Sequence, residues 1–152
     1  MRVLLLLVLP LWLLASDLEI KCLTMNIYFE ARGSNLADQA AVADVVLNRV
    51  ASNKYPNTIC AVIQQGVKHR NGVSVRNKCQ FSWFCDGKSD KMTDIDAARA
   101  AYYLAHQMLN KNRFRGITEG SLNYHATYVD PYWAKTFELV GTIGKHKYYR
   151  TH

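Results

Sequence analysis

The stretch "NIYFEARG", residues 26–33, places one carboxylate, Glu30, in a run that is otherwise mostly apolar or aromatic. Ile20, Leu23 and Ile27 precede it at spacings of three and four residues, which predicts one apolar face of a helix. Glu30 follows Ile27 by three residues and therefore falls on the same face. Because desolvation penalises the charged form of a carboxylic acid, we expect Glu30 to resist ionisation.

This helix is expected to cover residues 17–31 and to lie inside the domain. Leu18, Cys22, Met25 and Phe29 form a second apolar stripe along it, on a different face from the first. A helix that is apolar on more than one face is usually buried. The packing of this helix therefore decides the fold and the surroundings of its single acid.

Capping residues predict where the following helices begin and end. Gly33 suits the left-handed position that ends a helix, and Ser34 or Asn35 can cap the next helix. Thr58 can cap a short helix that ends at Gly66. The helices expected after the first one cover residues 36–50, 58–66 and 94–109, the last capped by Thr93 or Asp94.

The rest of the chain predicts a small amount of sheet. Residues 67–93 read as an irregular loop with an extended piece at 80–84, and short extended segments are expected at 122–125, 137–143 and 146–149. With 152 residues, 49% hydrophobic and 20% charged, the chain has the size and composition of one globular domain. The predicted fold class is α+β and mainly helical, a single domain with a small antiparallel sheet.

The N-terminus has the features of an export signal. Met1 and Arg2 precede the apolar run Val3–Ala15, and small residues follow at Ala15 and Ser16. We predict a signal peptide or membrane anchor over residues 1–16, and a mature domain over residues 17–152. The run is short for a membrane span, so cleavage is favoured over anchoring through residues 3–15, and a buried helix is a third alternative. The expected location is the periplasm, the cell envelope or the extracellular space.

Four cysteines, an even number, agree with an oxidising compartment. We favour a disulfide between Cys79 and Cys85, which closes a small loop. This leaves Cys22 to bond with Cys60 and to tie the first helix to a later one. A zinc site is the competing interpretation, but the paired CxxC spacing typical of such sites is absent.

The net charge of +7 favours an anionic partner. For an exported protein the most plausible anions are polymers of the cell envelope. Charge alone also permits a nucleic-acid partner, but the lysines and arginines are scattered and no nucleic-acid motif accompanies them. We therefore predict no nucleic-acid binding.

Two loops rich in aromatic residues could form the walls of a binding cleft. "CQFSWFC", residues 79–85, and "YHATYVDPYW", residues 124–133, place aromatic rings beside hydrogen-bonding side chains. Carbohydrate rings bind to this combination, and a protonated glutamic acid can donate a proton to a glycosidic oxygen. Packing in the core is the competing interpretation for each aromatic residue. The candidate binding residues in the two loops are Gln80, Phe81, Ser82, Trp83, Tyr124, His125, Tyr128 and Trp133.

Six blocks in one order make the sequence similar to a known family. They are "NIYFEARG", "AVADVVLNRV", "YPNTICAVI", "CQFSWFCDG", "YHATYVDPYWA" and "IGKHKYYR", and they span about residues 20–150. Together they resemble the SleB/CwlJ-type cell-wall hydrolases, also called spore cortex-lytic enzymes. The resemblance implies a lysozyme-like, lytic-transglycosylase-like fold that acts on peptidoglycan glycan strands.

The resemblance also assigns the catalytic role to Glu30, which matches the glutamate of the family's "EARGE" motif. His146, in the last block, joins the expected substrate-binding residues. The chain departs from the motif at Ser34, where the family usually has an acid. If that acid only caps the second helix, serine can replace it. If it assists the catalytic glutamate, activity would be weaker or would depend differently on pH.

The number of acids in apolar surroundings favours a lytic transglycosylase over a hydrolase. Hydrolytic glycosidases generally need two carboxyl groups beside the scissile bond. Only Glu30 lies in an apolar motif, and Asp86 or Asp130 would be the second group of a hydrolase. A transglycosylase needs one acid, which protonates the leaving oxygen and then accepts a proton from the muramic 6-hydroxyl.

Three alternatives stay open on the sequence alone. Glu30 could pair with Arg32 or Arg49 and only anchor the helix end, or the domain could bind glycan without cleaving it. His125 and His146 could bind a metal together with Asp130 or Asp44, but no HExxH-type arrangement is present. We therefore predict neither a metal nor a cofactor, and we expect a monomer.

Overall fold

The computed structural model describes the backbone of residues 12–151 and the side chains of residues 17–151. The predicted signal or anchor segment, residues 1–16, therefore lies outside the described residues, except for the short backbone stretch that begins the first helix. Within the described part of the chain, no helix combines the length and the apolar character needed to cross a bilayer.

The helical layer is built around its first helix. This helix packs against all three of the others. Asn35, Thr58 and Asp94 cap the later helices, each by accepting a hydrogen bond from a backbone N–H three residues further along. The described helices are α1 (Trp12–Ala31), α2 (Leu36–Ala51), α3 (Ile59–Ile63) and α4 (Ile95–Lys111).

The prediction that Gly33 is left-handed is wrong, because Gly33 does not have a positive φ. The turn after α1 closes instead through a hydrogen bond from Ser34 N–H to the Ala31 carbonyl at 2.9 Å. The Lys145 ammonium group donates to the Gly33 carbonyl at 2.6 Å. The turn after α1 is therefore stabilised by the side chain of Lys145, which is distant in sequence, and does not need a left-handed glycine.

Two antiparallel sheets complete the fold. A hairpin is formed by β1 (Gly66–Lys68) and β2 (Ser74–Cys79), and the second sheet has the strand order β3-β5-β4. In the second sheet His146 on β5 pairs with Ala126 on β3 and with Ile143 on β4. The strands of that sheet are β3 (Asn123–Ala126), β4 (Glu138–Ile143) and β5 (His146–Arg150), close to the predicted segments.

The structure corrects the prediction for residues 67–93. The segment is not wholly irregular, because it contains most of the β1–β2 hairpin. The piece at 80–84 is not extended either: Ser82–Cys85 form a 3-10 helix. Cys85 bonds to Cys79 across a separation of only six residues, so the chain has to turn back tightly between them.

Both predicted disulfides are confirmed. Cys22 bonds to Cys60 with a Cα–Cα distance of 5.3 Å, and Cys79 bonds to Cys85 with a Cα–Cα distance of 6.1 Å. The first joins α1 to α3, and the second holds the 3-10 helix against the hairpin. Closing loops in this way disfavours the unfolded chain.

The predicted buried face of α1 is confirmed. Ile20, Leu23 and Ile27 are at most 4% exposed and belong to the main core, where α1 meets α2, α3 and α4. Leu18, on the other stripe, is 56% exposed. The predicted fold class, a mainly helical α+β domain with a small antiparallel sheet, is therefore confirmed.

Candidate active site

Glu30 lies near the end of α1 and lines a cavity of about 640 Å³ between the helices and the three-stranded sheet. It is the only carboxylate among the described residues that line this cavity. Of the candidates from the sequence, the cavity brings together Glu30, Gln80, Phe81, Ser82, Tyr124, His125, Tyr128, Trp133 and His146.

The surroundings of Glu30 favour its protonated form. Burial raises the pKa of this carboxyl above its ordinary value, and it outweighs three opposing influences. These are a hydrogen bond from the Tyr124 hydroxyl to Oε2, at 2.9 Å, and the nearby charges of His146 and Arg49. Glu30 is therefore a carboxyl group with a raised pKa in a cleft, which is the expected state of a general acid.

The alternative in which Glu30 forms an ion pair with Arg32 or Arg49 is wrong. Among the described residues, no lysine or arginine nitrogen lies within 4.0 Å of its carboxylate oxygens. The Arg32 guanidinium lies 4.6 Å from the centroid of the Tyr28 ring instead. The acid is held by a neutral donor, so it can carry a proton without breaking a salt bridge.

Tyr124, predicted to contact substrate, lies directly against the acid. Its hydroxyl donates to Glu30, and burial raises the pKa of Tyr124 well above its ordinary value. It therefore stays a hydrogen-bond donor at every working pH. Its position on β3 links the orientation of the Glu30 carboxyl to the sheet.

Arg49 brings a buried positive charge to the same cavity. Its side chain is only 5% exposed, and its Nε donates to the Leu122 carbonyl at 2.8 Å. The guanidinium lies 5.2 Å from the Tyr55 ring centroid and 5.4 Å from that of Phe81. Among the described residues, Nη1 has no hydrogen-bond partner. Because arginine stays protonated, this charge persists through the catalytic pH range and lowers the pKa of Glu30.

A second buried carboxylate, Asp38, anchors the far side of the site. It accepts hydrogen bonds from Nδ1 of His146 at 2.9 Å, from the Tyr148 hydroxyl at 2.7 Å and from the Lys145 N–H at 3.0 Å. These donors lower the pKa of Asp38 to about 2 in spite of its burial. Gly144 has φ +56, and a Cβ there would lie 2.6 Å from Asp38, so the turn before β5 requires glycine.

Ser34, the departure from the family motif, supports Asp38 rather than capping α2. Its side chain hydrogen-bonds the Asp38 carboxylate and lowers the pKa of that group. Asn35 is the cap, and its side chain accepts from the Asp38 N–H at 2.9 Å. Ser34 and His146 therefore both hydrogen-bond the same carboxylate, that of Asp38.

Trp83, a candidate binding residue from the sequence, is a core residue that also borders the groove. It is only 9% exposed, stacks on Phe29 with ring centroids 4.8 Å apart, and donates from Nε1 to Asn26 at 3.1 Å. It does not line this first cavity, but it lines a second, adjoining cavity together with Glu30 and Ser82. The 3-10 turn directs Ser82 to the cavity and Trp83 into the helical core. Phe81 is also 97% buried and has both roles, because it belongs to the core and lines the cavity.

His125 and Trp133 form a packed wall opposite the helices. The Nε2 atom of His125 is 2.9 Å from the Tyr149 hydroxyl, and Nδ1 is 2.8 Å from the Ala126 carbonyl. Trp133 packs edge-on to the His125 and Tyr149 rings. Tyr128, in contrast, is 88% exposed at the rim. Both His125 nitrogens have partners within the protein, so this residue shapes the wall.

A second cavity of about 520 Å³ adjoins the first. The two share Phe29, Glu30 and Ser82, so Glu30 lies where they meet. Asp86, a candidate second carboxylate, lines the second cavity. Asp130, the other candidate, is not among the described residues that line either one. The two cavities together form a groove with the acid near its middle.

The interpretation of Asp44 as a metal ligand is wrong, because the residue is fully buried in a structural network. Its carboxylate accepts hydrogen bonds from Arg115, from the N–H of Gly116 at 3.0 Å and from the Thr118 hydroxyl at 2.7 Å. It thereby fixes the turn that leads into β3.

Sequence reasoning missed three groups that the structure adds. Arg49 and Asp38 are buried charged residues of α2, and the available signal was their position within a helix rich in alanine and valine. Asn123 and Phe137 line the cavity only because the sheet folds back on α1 and α2. Phe29, which precedes the acid, was assigned to a core stripe but also borders both cavities.

A buried, hydrogen-bonded carboxyl in the groove of a mainly helical α+β domain places the protein in the lysozyme-like class. The model of the cell wall hydrolase family matches residues 33–149. The chain therefore belongs to the cell wall hydrolase family, as the six sequence blocks predicted.

Individual relatives agree with this assignment. The chain is 44% identical over 48 residues to a spore cortex-lytic enzyme of Bacillus cereus and 42% identical over 48 residues to that of Bacillus subtilis. These matches cover 32% of this chain but only 18% and 16% of the relatives. The chain thus matches less than a fifth of the length of these curated relatives.

Solved structures cover far more of the chain. The catalytic domain of the germination-specific lytic transglycosylase SleB from Bacillus anthracis superposes with a TM-score of 0.62 at 28% identity, over 87% of this chain and 93% of that one. The catalytic domain of the Bacillus cereus SleB protein gives a TM-score of 0.56 at 25% identity, over 88% and 91%. Both superpositions show that the chain shares the fold of these catalytic domains.

Proposed function

We propose that this protein degrades peptidoglycan by cleaving the bond between N-acetylmuramic acid and N-acetylglucosamine, with Glu30 as general acid and base. The observation that carries the proposal is the isolation of Glu30. It has a raised pKa, a neutral hydrogen-bond donor and, among the described residues, no second carboxylate in the first cavity, although Asp86 and Asp90 line the adjoining second cavity. The similarity to a catalytic domain named as a lytic transglycosylase supports the same reaction.

The proposed reaction is a lytic transglycosylation in two steps. First, protonated Glu30 gives its proton to the glycosidic oxygen while the bond from that oxygen to muramic C1 breaks. This leaves positive character on C1 and a carboxylate at Glu30. Second, that carboxylate takes the proton of the muramic 6-hydroxyl while its oxygen bonds to C1. The product has a 1,6-anhydro ring, Glu30 is protonated again, and no water is consumed.

The surrounding residues would support both protonation states of Glu30. Burial keeps the proton on Glu30 before cleavage, while Tyr124 and Arg49 stabilise the carboxylate formed after it. The residues proposed to contact substrate are Gln80, Phe81, Ser82, Tyr124, His125, Tyr128, Trp133 and His146 in the first cavity, and Trp83 in the second.

The test is mass analysis of the products from purified peptidoglycan. We expect ends that are lighter than ordinary reducing ends by one water. Reducing ends alone would overturn the transglycosylase mechanism and favour a hydrolase. Asp86, on the second cavity, would then be the candidate second carboxylate, and Asp86→Asn would abolish cleavage.

A glycan-binding module without activity is the alternative from another class. It is tested with Glu30→Gln, which keeps the shape of the side chain but removes its titratable proton. Loss of cleavage with retained binding to glycan supports the enzyme. Retained cleavage would remove Glu30 from its proposed role.

We also propose that residues 1–16 direct export and that residues 17–152 form the catalytic domain, which acts as a monomer on the cell wall. The two disulfides support an oxidising location. Intact-mass measurement after expression in an exporting host is expected to show loss of the segment. Sedimentation is expected to give the mass of one chain, and a soluble uncleaved chain would contradict the export proposal.

A further inference from the structure

The two cavities that meet at the proposed catalytic glutamate differ in chemistry. The first is lined mainly by aromatic rings and neutral polar groups, with the buried Arg49 as its only lysine or arginine among the described residues. The second has the rings of Phe29 and Trp83 at one part of its wall and charged side chains near the surface at the other. These are Arg32, Lys88 and Lys91 as cations and Asp86 and Asp90 as anions.

The two lysines of the second cavity are free to bind an anion. Lys88 and Lys91 are exposed, and among the described residues no carboxylate oxygen lies within 4.0 Å of either ammonium nitrogen. The Asp86 carboxylate accepts from the backbone N–H of Lys88 through Oδ1 at 2.8 Å, and among the described residues neither Asp86 nor Asp90 forms an ion pair with the two lysines. Asp86 therefore shapes the loop without neutralising the ammonium groups.

The segment that carries these lysines is held in place at both ends. At its start, the Asp86 carbonyl accepts from Arg76 Nε at 3.0 Å, directly after the Cys79–Cys85 disulfide. At its end, the N–H of Asp94 donates to the Tyr28 hydroxyl at 3.0 Å. A fixed backbone lowers the entropic cost of binding a ligand there.

The ligand chemistry follows from the charge. The alternating sugars of peptidoglycan offer hydroxyl and acetamido groups, which suit the first cavity. The carboxylates of the polymer are concentrated in the peptide that each muramic acid carries on its lactyl group. Because every second sugar is muramic acid, a peptide-bearing sugar lies beside the cleaved bond.

We propose that the second cavity binds the peptide stem of the substrate through Lys88 and Lys91, so that the enzyme prefers peptide-bearing glycan to bare glycan. This inference rests on the proposed function. Ammonium–carboxylate pairs at a partly exposed surface are individually weak, so the preference is expected to be about three- to tenfold and to weaken in high salt.

The first test compares two soluble glycan preparations that are free of other anionic polymers. One keeps its peptides, and the other has been stripped of them by an amidase, which leaves a single lactyl carboxylate on each muramic acid in place of the peptide and its carboxylates. The wild-type protein is expected to cleave the peptide-bearing glycan with a kcat/KM about three- to tenfold higher, mainly through a lower KM. Equal kcat/KM values on the two preparations would overturn the inference.

The second test uses the double variant Lys88→Gln/Lys91→Gln. Its kcat/KM on peptide-bearing glycan should fall to within twofold of its own value on stripped glycan, so that the preference is lost. The matched control, Lys21→Gln/Lys111→Gln, removes the same charge at exposed positions that line neither cavity, and it should keep the preference. Equal effects of both variants would mean that only net charge matters, which would also overturn the inference.

Failure of this inference is distinguishable from failure of the proposed function. If Glu30→Gln abolishes cleavage but the wild-type protein has equal kcat/KM values on the two glycan preparations, the catalytic proposal is supported and the peptide-binding inference is wrong. If Glu30→Gln still cleaves glycan, the catalytic proposal falls regardless of the lysines.

Discussion

Glu30 and Asp38 are buried carboxyl groups only eight residues apart, and the structure shifts their pKa values in opposite directions. Burial raises the pKa of Glu30, which has one direct hydrogen-bond donor, Tyr124. Asp38 is also buried, but several donors bind its charged form and lower its pKa to about 2. Burial alone therefore does not decide the protonation state of an acid. The number of donors within reach decides it.

The largest expected effect is the loss of activity in Glu30→Gln. If this acid is the proton donor, the rate of glycan cleavage should fall by about a thousandfold or more, measured as the release of soluble fragments. Glu119→Gln is the matched control, because Glu119 is exposed and lines neither cavity of the groove. A loss of activity of less than tenfold in Glu30→Gln would contradict the role of Glu30 as the proton donor.

The next effect is on stability. Asp38→Ala leaves the donors of His146, Tyr148 and Lys145 without their acceptor, so we expect the free energy of unfolding to fall by about 3 kcal/mol, measured by urea denaturation. The matched control is Asp96→Ala, which removes an exposed ion pair with Arg99 and should cost less than about 1 kcal/mol. Equal losses in the two variants would show that Asp38 is not an anchor.

The pH dependence of stability should have opposite signs at the two acids. The folded-state pKa of Asp38, about 2, lies below the ordinary aspartate value of 3.8, so its contribution of about 2 kcal/mol is present above pH 3.8 and lost as the pH falls through 2. The raised pKa of Glu30 has the reverse effect, because its protonated form favours the folded state at low pH and this advantage is lost as the pH rises.

This contrast can be measured by urea denaturation over a pH series. The difference in unfolding free energy between wild type and Asp38→Asn should shrink as the pH is lowered from 5 towards 2. Glu30→Gln should be at least as stable as wild type at neutral pH. A less stable Glu30→Gln at pH 7 would contradict the direction of the Glu30 shift.

The smallest expected effect is that of Tyr124→Phe. Removing the hydroxyl deletes the donor that lowers the pKa of Glu30, so this pKa should rise further and the alkaline limb of the kcat/KM profile should move to higher pH. We expect activity at the optimum to fall by about tenfold, because the Glu30 carboxyl loses one hydrogen bond. A fall in activity without movement of the alkaline limb would mean that Tyr124 acts only by packing.

Periodicity and capping residues predicted the helical part of the fold closely. Ile20, Leu23 and Ile27 identify the buried face of α1, and Asn35, Thr58 and Asp94 mark the starts of later helices, because these signals act over one or two turns. The errors fall where distant contacts override local preference. The Gly33 turn is held by Lys145, and the segment after Cys79 is bent by a disulfide.

In the candidate site, too, the sequence identified the residues better than it identified their roles. The motif around Glu30 and the aromatic loops identified most of the cavity, because they are contiguous in sequence. The roles within the cavity depend on long-range contacts. Trp83 donates a hydrogen bond to Asn26 in the core, and Tyr124 donates one to Glu30. Arg49, on α2, places its charge in the cavity.

The sequence by itself determined that an acid would lie on the buried side of the first helix, in a family whose members degrade cell walls. That information is local, since a face of a helix follows from the spacing of its apolar residues. Only the tertiary structure decided in which direction the pKa of each buried carboxyl is shifted. Glu30 and Asp38 are both covered by protein, but their donors come from strands about 100 residues further along the chain. The pKa of an acid depends on those spatial neighbours, which helical spacing does not specify.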